Sequence, residues 1–195
     1  MTRPKPIAVV GLAVAVAAVA WLVFAGVPRF GGSPPPGQAG AEAPPAGPER
    51  RINVTLFFIS EDGLALVGVR REVPFGEAVS DQARRIVEAQ LGAPPAPLAR
   101  AIPEGTTLRF LFVSGNGEAF VDLSGDVTAR HTGGALDELF TVYAVVNALT
   151  VNLPAVTGVQ ILIDGKEVDT LAGHVDLRHP LQKSMNWVRT EKDAS

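Results

Sequence analysis

The side chains that could carry out chemistry are concentrated in one stretch, Asp122-Leu123-Ser124-Gly125-Asp126, which is followed by His131. A serine nucleophile, a histidine base and an acid act together only when the fold aligns them, and this spacing does not demand alignment. The Gly-x-Ser-x-Gly signature of a nucleophile held on a strand–helix turn is absent from the stretch. We therefore interpret it as a polar strand end that leads into a helix.

Metal sites are equally poorly supported by the sequence. In a calcium loop that began at Asp122, Val127 and Gly133 would stand where glycine and glutamate are needed. The three histidines are too scattered to argue for a metal; they are His131, His174 and His179. The chain has no cysteine, which removes disulfides, thiolate zinc sites, a cysteine nucleophile and a lipidated N-terminal cysteine. We predict neither a metal nor a cofactor.

The rest of the chain is expected to pack around a helix predicted over residues 133–150. Its apolar positions recur at three- and four-residue steps and continue on the opposite side. They are Leu136, Leu139, Phe140, Tyr143 and Val146, with Val142, Val145 and Leu149 opposite. A helix that is apolar nearly all round is buried in a domain or lies in a membrane, and Glu138 and Asn147 favour the domain. Thr132 is the predicted N-cap, and Pro154 lies beyond the end of the helix.

Three polar side chains of this helix are candidate site residues. A buried amide needs hydrogen-bond partners, so for Asn147 and Thr150 we favour structural clamping over a binding site. For Glu138 we favour a salt bridge or a loop clamp over an acid catalyst. We predict no catalytic residue in the chain.

The N-terminus predicts a membrane anchor. Residues 7–27 carry no charged or strongly polar side chain, and as a helix they would span ~31 Å, enough for a hydrocarbon layer ~30 Å thick. Arg3 and Lys5, in the tip formed by residues 1–6, place the N-terminus in the cytoplasm. Cleavage after Val23-Phe24-Ala25, as in a signal peptide, is the alternative. We favour an uncleaved anchor because cleaved apolar cores are usually shorter.

Residues 28–50 form a predicted linker, because proline and glycine dominate the segment and little in it could fill a core. Without Arg3 and Lys5, the chain carries 15 basic residues against 20 acidic ones, a net charge of −5. This balance, with no basic cluster, argues against nucleic acid as a partner.

Residues 51–180 predict a single α+β domain, followed by a C-terminal tail over residues 181–195. The expected order is hairpin, helix, hairpin, helix, hairpin, in a largely antiparallel sheet that carries both helices. The strands are predicted over residues 52–60, 64–73, 106–113, 118–123, 159–163 and 167–171, and the first helix over residues 79–91. Strand 106–113 is expected to be central, because apolar side chains cover both its faces.

Several stretches, in this order, resemble the sporulation and spore germination domain called GerMN. They include Val54-Thr55-Leu56-Phe57-Phe58, Ala101-Ile102-Pro103-Glu104-Gly105-Thr106, Ala119-Phe120-Val121-Asp122-Leu123-Ser124, Gly133-Gly134-Ala135-Leu136-Asp137-Glu138, Val146-Asn147-Ala148-Leu149-Thr150 and Val159-Gln160-Ile161-Leu162-Ile163-Asp164-Gly165. The resemblance covers about residues 52–180. It marks Gly134, Glu138, Asn147, Leu149 and Thr150 as signature positions, which we expect to be structural.

The resemblance implies a bacterial envelope protein with an interaction domain, and not an enzyme. We expect a single-pass protein of the cell membrane whose extracytoplasmic domain serves as a scaffold or adaptor in sporulation, spore germination or the vegetative envelope. The expected partner is an envelope protein or a second copy, bound near peptidoglycan through a helix face or through a sheet edge, for which residues 52–60 and 167–171 are the candidates. The alternatives are a receptor for a cell-wall glycan or small ligand, and a hydrolase that uses Asp122, Asp126 or Glu138.

Overall fold

The computed structural model describes residues 50–189. The anchor predicted over residues 7–27 and the linker up to residue 49 lie outside the described residues. Within residues 50–189, no helix combines the length and the apolar character needed to cross a membrane.

The described chain alternates hairpins and helices in the predicted order. The elements are β1 (Arg51–Ile59), β2 (Leu66–Pro74), α1 (Val79–Gln90), β3 (Leu108–Val113), β4 (Glu118–Leu123), α2 (Asp126–Ala129), α3 (Ala135–Asn152), β5 (Gly158–Ile163), β6 (Lys166–Glu167) and β7 (Val188–Arg189). The α+β class is confirmed. The last predicted strand, residues 167–171, ends at Glu167, and the short helix α2 was not predicted.

The single, largely antiparallel sheet that we predicted is wrong, because the strands form two sheets. Their strand orders are β1-β2-β7 and β3-β4-β5-β6. Strands β4 and β5 pair in parallel, and so do β2 and β7. Helix α3 lies between β4 and β5 in the chain, and such a helical crossover lets the next strand run parallel. Because α3 is apolar nearly all round, it needs more than one packing surface, and it contacts β1, β5 and α1.

The N-terminus of α3 differs from the prediction. The helix begins at Ala135, and the N-cap position is taken by Gly134, with no capping side chain. Gly134 has φ +92°, a conformation that glycine adopts at little cost. The hydroxyl of Thr132, the predicted cap, donates to the carboxylate of Asp137 at 3.0 Å.

Helix α3 is buried along most of its length. The stretch from Phe140 to Leu149 is buried except for Tyr143, whereas Leu136, placed on the predicted inner stripe, is 37% exposed. The helix therefore forms the centre of the core, as its composition predicts.

Strand β3 was expected to be central, and this is wrong: it lies at the edge of the second sheet. Leu111 is buried, on the face that packs against α1. Phe110 and Phe112 point the other way and are 55% and 49% exposed. Apolar side chains on both faces therefore do not mean that both faces are covered.

Residues 181–189, part of the segment that we assigned to a tail, bond to both sheets. Leu181 exchanges two backbone hydrogen bonds with Val159 of β5, at 2.8 and 2.9 Å. Val188 pairs in parallel with Leu66 of β2. The segment therefore ties the second sheet to the first.

Candidate functional site

Glu138 is fully buried in the first turn of α3 and binds the loop that follows β6. Its Oε1 accepts the backbone N–H groups of Leu171 and Ala172, both at 2.9 Å. Its Oε2 accepts the N–H of His174 at 2.8 Å and lies 3.0 Å from the Nδ1 atom of the same residue. One carboxylate thus fixes the shape of residues 171–174.

The electrostatics of Glu138 favour the ionised form. Burial alone would raise the pKa of this carboxyl, but the N–H groups of Ala172, Val175 and His174, with the His174 ring, hold the pKa below its ordinary value. A general acid at neutral pH needs the opposite shift. Glu138 is therefore arranged as a structural acceptor.

The acidic stretch 122–126 braces turns. Asp122 accepts the backbone N–H of Gly165 at 2.8 Å, and its other oxygen lies 3.7 Å from Nη1 of Arg109. The same Nη1 donates to Asp164 at 3.1 Å. These contacts hold the turn between β5 and β6 against the end of β4.

Ser124 and Asp126 bond to each other rather than to a histidine. The Ser124 hydroxyl donates to Asp126 at 3.2 Å, and Asp126 accepts from Nε of Arg130 at 3.0 Å. His131 makes its hydrogen bonds to Gly133 and Thr141. The structure therefore does not bring Ser124 and His131 together as a nucleophile and its base.

His131 and Thr141 form a histidine–hydroxyl contact that the sequence did not predict, and the direction of its hydrogen bond is unsuited to catalysis. The backbone N–H of Gly133 donates to Nδ1 of His131 at 3.0 Å, so Nδ1 carries no proton. The proton must then be on Nε2, which lies 3.2 Å from the Thr141 hydroxyl. That hydroxyl in turn donates to the carbonyl of Ala101 at 2.6 Å. The histidine donates towards Thr141 and cannot act as its base.

A cleft of about 180 Å³ opens beside the hydrogen-bonded pair His131 and Thr141, and it is lined largely by residues 100–104 and 130–132. Arg100 donates to the carbonyls of Leu91 and Gly92, at 3.1 and 3.2 Å. Arg130, on the other side, is paired with Asp126. The polar groups of the cleft are thus engaged by the chain itself, and among residues 50–189 no three metal-ligating side chains cluster.

Of the other signature positions, Asn147, Leu149 and Thr150 lie in the packed core or against it, whereas Gly134 is exposed at the start of α3. Asn147 is fully buried; its Nδ2 donates to the Ser184 carbonyl at 2.7 Å, and its Oδ1 accepts the Ser184 N–H at 3.1 Å. Thr150 donates to the carbonyl of Val146 at 2.7 Å, one turn back in α3. Leu149 is a core residue.

Two amide side chains close the free edge of β1, a role that the sequence analysis missed. Gln90, at the end of α1, accepts the N–H of Phe57 at 2.8 Å and donates to its carbonyl at 2.6 Å. Asn152, at the end of α3, accepts the N–H of Thr55 at 2.8 Å and donates to its carbonyl at 2.7 Å. Ile59 completes the edge by a two-way bridge to Ala99. The signal in the sequence was Gln90 itself, a polar residue that follows Ala83, Ile86 and Val87 on the apolar side of the helix predicted over residues 79–91.

Three phenylalanines lie together on the outer face of the second sheet, and we call Phe110, Phe112 and Phe120 the phenylalanine face. Phe112 is directly opposite Phe120 in the register of β3 and β4. Residues two apart on a strand share a face, so Phe110 lies on the same side. With Phe110 and Phe112 about half exposed, this face is a large apolar group left in contact with solvent.

The chain is thus an α+β domain in which two sheets enclose an apolar helix, and its buried polar groups brace loops and strand edges. A family profile described as "Germane: Sporulation and spore germination" matches residues 55–169. The chain belongs to this family of GerMN domains, which confirms the resemblance read from the sequence. The family is not a known enzyme family.

One solved structure of low sequence identity shares the fold, and two others are similar with TM-scores below 0.5. The tandem GerMN domains of the sporulation protein GerM from Bacillus subtilis are 19% identical with a TM-score of 0.53, covering 68% of this chain and 46% of that one. The first GerMN domain of the same protein is 18% identical with a TM-score of 0.45, covering 68% and 95%. A candidate lipoprotein from Clostridium perfringens is 21% identical with a TM-score of 0.49, covering 71% and 93%. None of the curated proteins matches this chain.

Proposed function

We propose that this chain is a membrane-anchored, non-enzymatic interaction domain of the bacterial cell envelope that acts in sporulation or spore germination. Residues 7–27 serve as an uncleaved single-pass anchor with the N-terminus in the cytoplasm. Residues 28–50 carry the domain away from the membrane, where it binds an envelope protein or a second copy.

One observation carries the proposal: the polar side chains best suited to chemistry are engaged by the chain itself. Glu138 accepts three backbone N–H groups, Asp122 accepts a fourth, and His131 is locked in the tautomer that donates to Thr141. An active site would hold such groups towards a substrate. Family membership supports the same conclusion, because the matched description names a process and no reaction.

The location is tested by cysteine labelling in intact cells, and the absence of native cysteine makes each introduced thiol unique. Leu64 lies in the β1–β2 turn and is 68% exposed, so Leu64→Cys tolerates labelling. We expect a membrane-impermeant maleimide to label Leu64→Cys in intact cells, and to label the control Thr2→Cys only after lysis. Labelling of Leu64→Cys only after lysis would place the domain in the cytoplasm. Mass spectrometry that finds a mature N-terminus at Gly26 would contradict the uncleaved anchor.

A further inference from the structure

We propose that the phenylalanine face is a docking site for a partner protein that presents basic side chains beside apolar ones. This inference rests on the proposed function, since it names the surface and the chemistry of the partner of an interaction domain. It follows from what covers the second sheet, from the charges around the three rings, and from the state of the neighbouring strand edge.

The outer face of the second sheet is covered on one side only. Over β5, Gln160 is buried and donates to the carbonyl of Leu177 at 2.7 Å. Pro180 lies against Gly158, so close that a Cβ added to the glycine would be 3.3 Å from its side chain. Over β3, no described residue gives comparable cover, and the rings of Phe110 and Phe112 stay half exposed. The phenylalanine face is thus an exposed apolar surface that borders the segment 177–181.

The border of the phenylalanine face, which we call its rim, carries mostly acidic side chains. Glu118, Phe120 and Asp122 are spaced two residues apart along β4, so their side chains lie on the same face of the sheet. Asp164 reaches the same region through its contact with Arg109. Three carboxylates and one guanidinium give a net charge of −2, so a partner with lysine or arginine beside apolar groups is electrostatically complementary.

The same charges disfavour other occupants of the face. In a symmetric pair of copies the acidic rims would face each other, and like charges across an interface oppose association. An anionic lipid surface is repelled for the same reason. A strand added to the edge of β3 would meet the Ser80 hydroxyl, which already accepts the N–H of Val113 at 3.0 Å, and an irregular register between Leu108 and Phe110.

The size of the face fits the centre of a small interface. A phenylalanine buries roughly 150–250 Å² when covered completely, so the half-exposed rings offer on the order of 200–300 Å² together. A stable interface takes about 800 Å² from each partner. One amphipathic helix or extended segment, anchored on the rings and flanked by the rim, is therefore the expected form of the contact.

The test uses the full-length chain and two labelled peptides of equal length and leucine pattern, one with lysine and one with glutamate on the polar face. We expect fluorescence anisotropy to show binding of the lysine peptide and none of the glutamate peptide. Phe112→Ser should weaken that binding at least about tenfold, the effect of losing an anchoring side chain. Leu64→Ser, a matched loss of an exposed apolar side chain in the β1–β2 turn, should leave it unchanged.

A second variant tests the charge argument. Glu118→Lys should weaken lysine-peptide binding and reduce its dependence on salt. Glu118 is partly exposed, so the melting temperature is measured alongside to confirm that the variant is folded. Phe110→Ser repeats the ring test if Phe112→Ser lowers the melting temperature.

Three results would overturn the inference. Equal binding of the two peptides would contradict the electrostatic argument. Binding that neither Phe110→Ser nor Phe112→Ser weakens would show that the phenylalanine face is not the binding site. Self-association of the chain that Phe112→Ser abolishes would identify a second copy as the occupant. None of these outcomes affects the labelling of Leu64→Cys, so failure of the docking site is distinguishable from failure of the proposed function.

Discussion

At the scale of single residues, Glu138 shows why a buried acid need not be an active-site acid. A carboxylate can be buried when backbone N–H groups replace the water that it loses, and Glu138 has three such donors besides the His174 ring. The donors come from a loop with little regular structure. Hydrogen bonds to the carboxylate therefore hold residues 171–174 in one conformation, as pairing with a strand would otherwise do.

Replacing this carboxylate by its amide tests that account. Glu138→Gln keeps the shape but turns one acceptor into a donor, which then faces an N–H group of the loop. We expect the free energy of unfolding to fall by about 2–4 kcal/mol, because a buried donor loses its charged acceptor. Urea unfolding measures the change, and Asp137→Asn, on the exposed side of the same helical turn, is the control. A loss below about 0.5 kcal/mol would show that Glu138 does not hold the loop.

The same residue predicts a dependence of stability on pH. The pKa of Glu138 lies below its ordinary value of 4.5, so in acid the unfolded chain binds a proton at a pH where the folded chain does not. The stabilisation is therefore complete above about pH 4.5 and is lost as pH falls through the lowered pKa. Asp62, bonded to Ser60 and Arg189, contributes in the same direction, with its pKa lowered to about 2.

Urea unfolding between pH 6 and pH 2 separates the two groups. Glu138→Gln should flatten the decline that begins near pH 4.5, the ordinary pKa of a glutamate, and Asp62→Asn the decline that begins near pH 3.8, that of an aspartate. An unchanged slope in Glu138→Gln would mean that the carboxyl titrates normally in the folded protein.

At the scale of elements, side-chain amides form the hydrogen bonds that a neighbouring strand would otherwise make with the edge of β1. Strand β1 is at the edge of its sheet, yet Gln90 and Asn152 satisfy the backbone groups of Phe57 and Thr55 in both directions. Free strand edges are templates for association. The edge at residues 52–60, which we expected to receive a partner, is therefore closed by the chain itself from Thr55 to Ile59.

Removing one amide should open that edge. Gln90→Met preserves the length of the side chain but leaves the buried N–H and carbonyl of Phe57 unpaired. We expect a loss of about 2–4 kcal/mol in urea unfolding, since each unsatisfied buried group costs about 1–3 kcal/mol. Glu88→Met, an exposed position of the same helix, should cost little. If Gln90→Met costs no more than this control, the amide is not what closes the edge.

Asn147 plays a similar part for the segment that joins the sheets. Asn147→Leu removes both hydrogen bonds to Ser184, and we expect it to destabilise the protein by about 1–3 kcal/mol. Faster amide exchange at residues 181–188 should accompany the loss, because this segment is held by few bonds. Thr150→Val, whose hydroxyl bonds only within α3, should not increase that exchange. An Asn147→Leu variant with an unchanged melting temperature would contradict the clamp.

At the scale of the whole molecule, most helices and strands were predicted from local patterns, but the pairing of strands distant in the chain was not. The apolar surface of α3 required burial, and glycines mark the hairpin turns. Gly117, for example, has φ +87°, and a Cβ added to it would lie only 2.7 Å from the Ala155 carbonyl oxygen. Neither pattern tells which strands pair across the chain. Two sheets arise because α3 needs packing surfaces on several sides, and that depends on the complete fold.

The site followed the same division. A clamping role for Glu138 and Asn147 could be proposed from the sequence, because a polar residue on a buried helix face needs a partner. Their partners, residues 171–174 and Ser184, could not be named, since they lie 33 or more positions away in segments without periodicity. The open face of β3 was missed because an apolar strand at an edge has the same composition as one in the centre.

The central claim is that this domain acts by binding a protein in the cell envelope. Photo-crosslinking in living cells tests it most directly, with a photoreactive residue placed in the full-length chain at Phe112, Leu64 or Val151, three exposed positions. We predict covalent adducts with an envelope protein or with a second copy from at least one position, and the strongest adduct from Phe112. If no position yields a protein adduct, while the purified chain cleaves or tightly binds peptidoglycan fragments, the claim is contradicted.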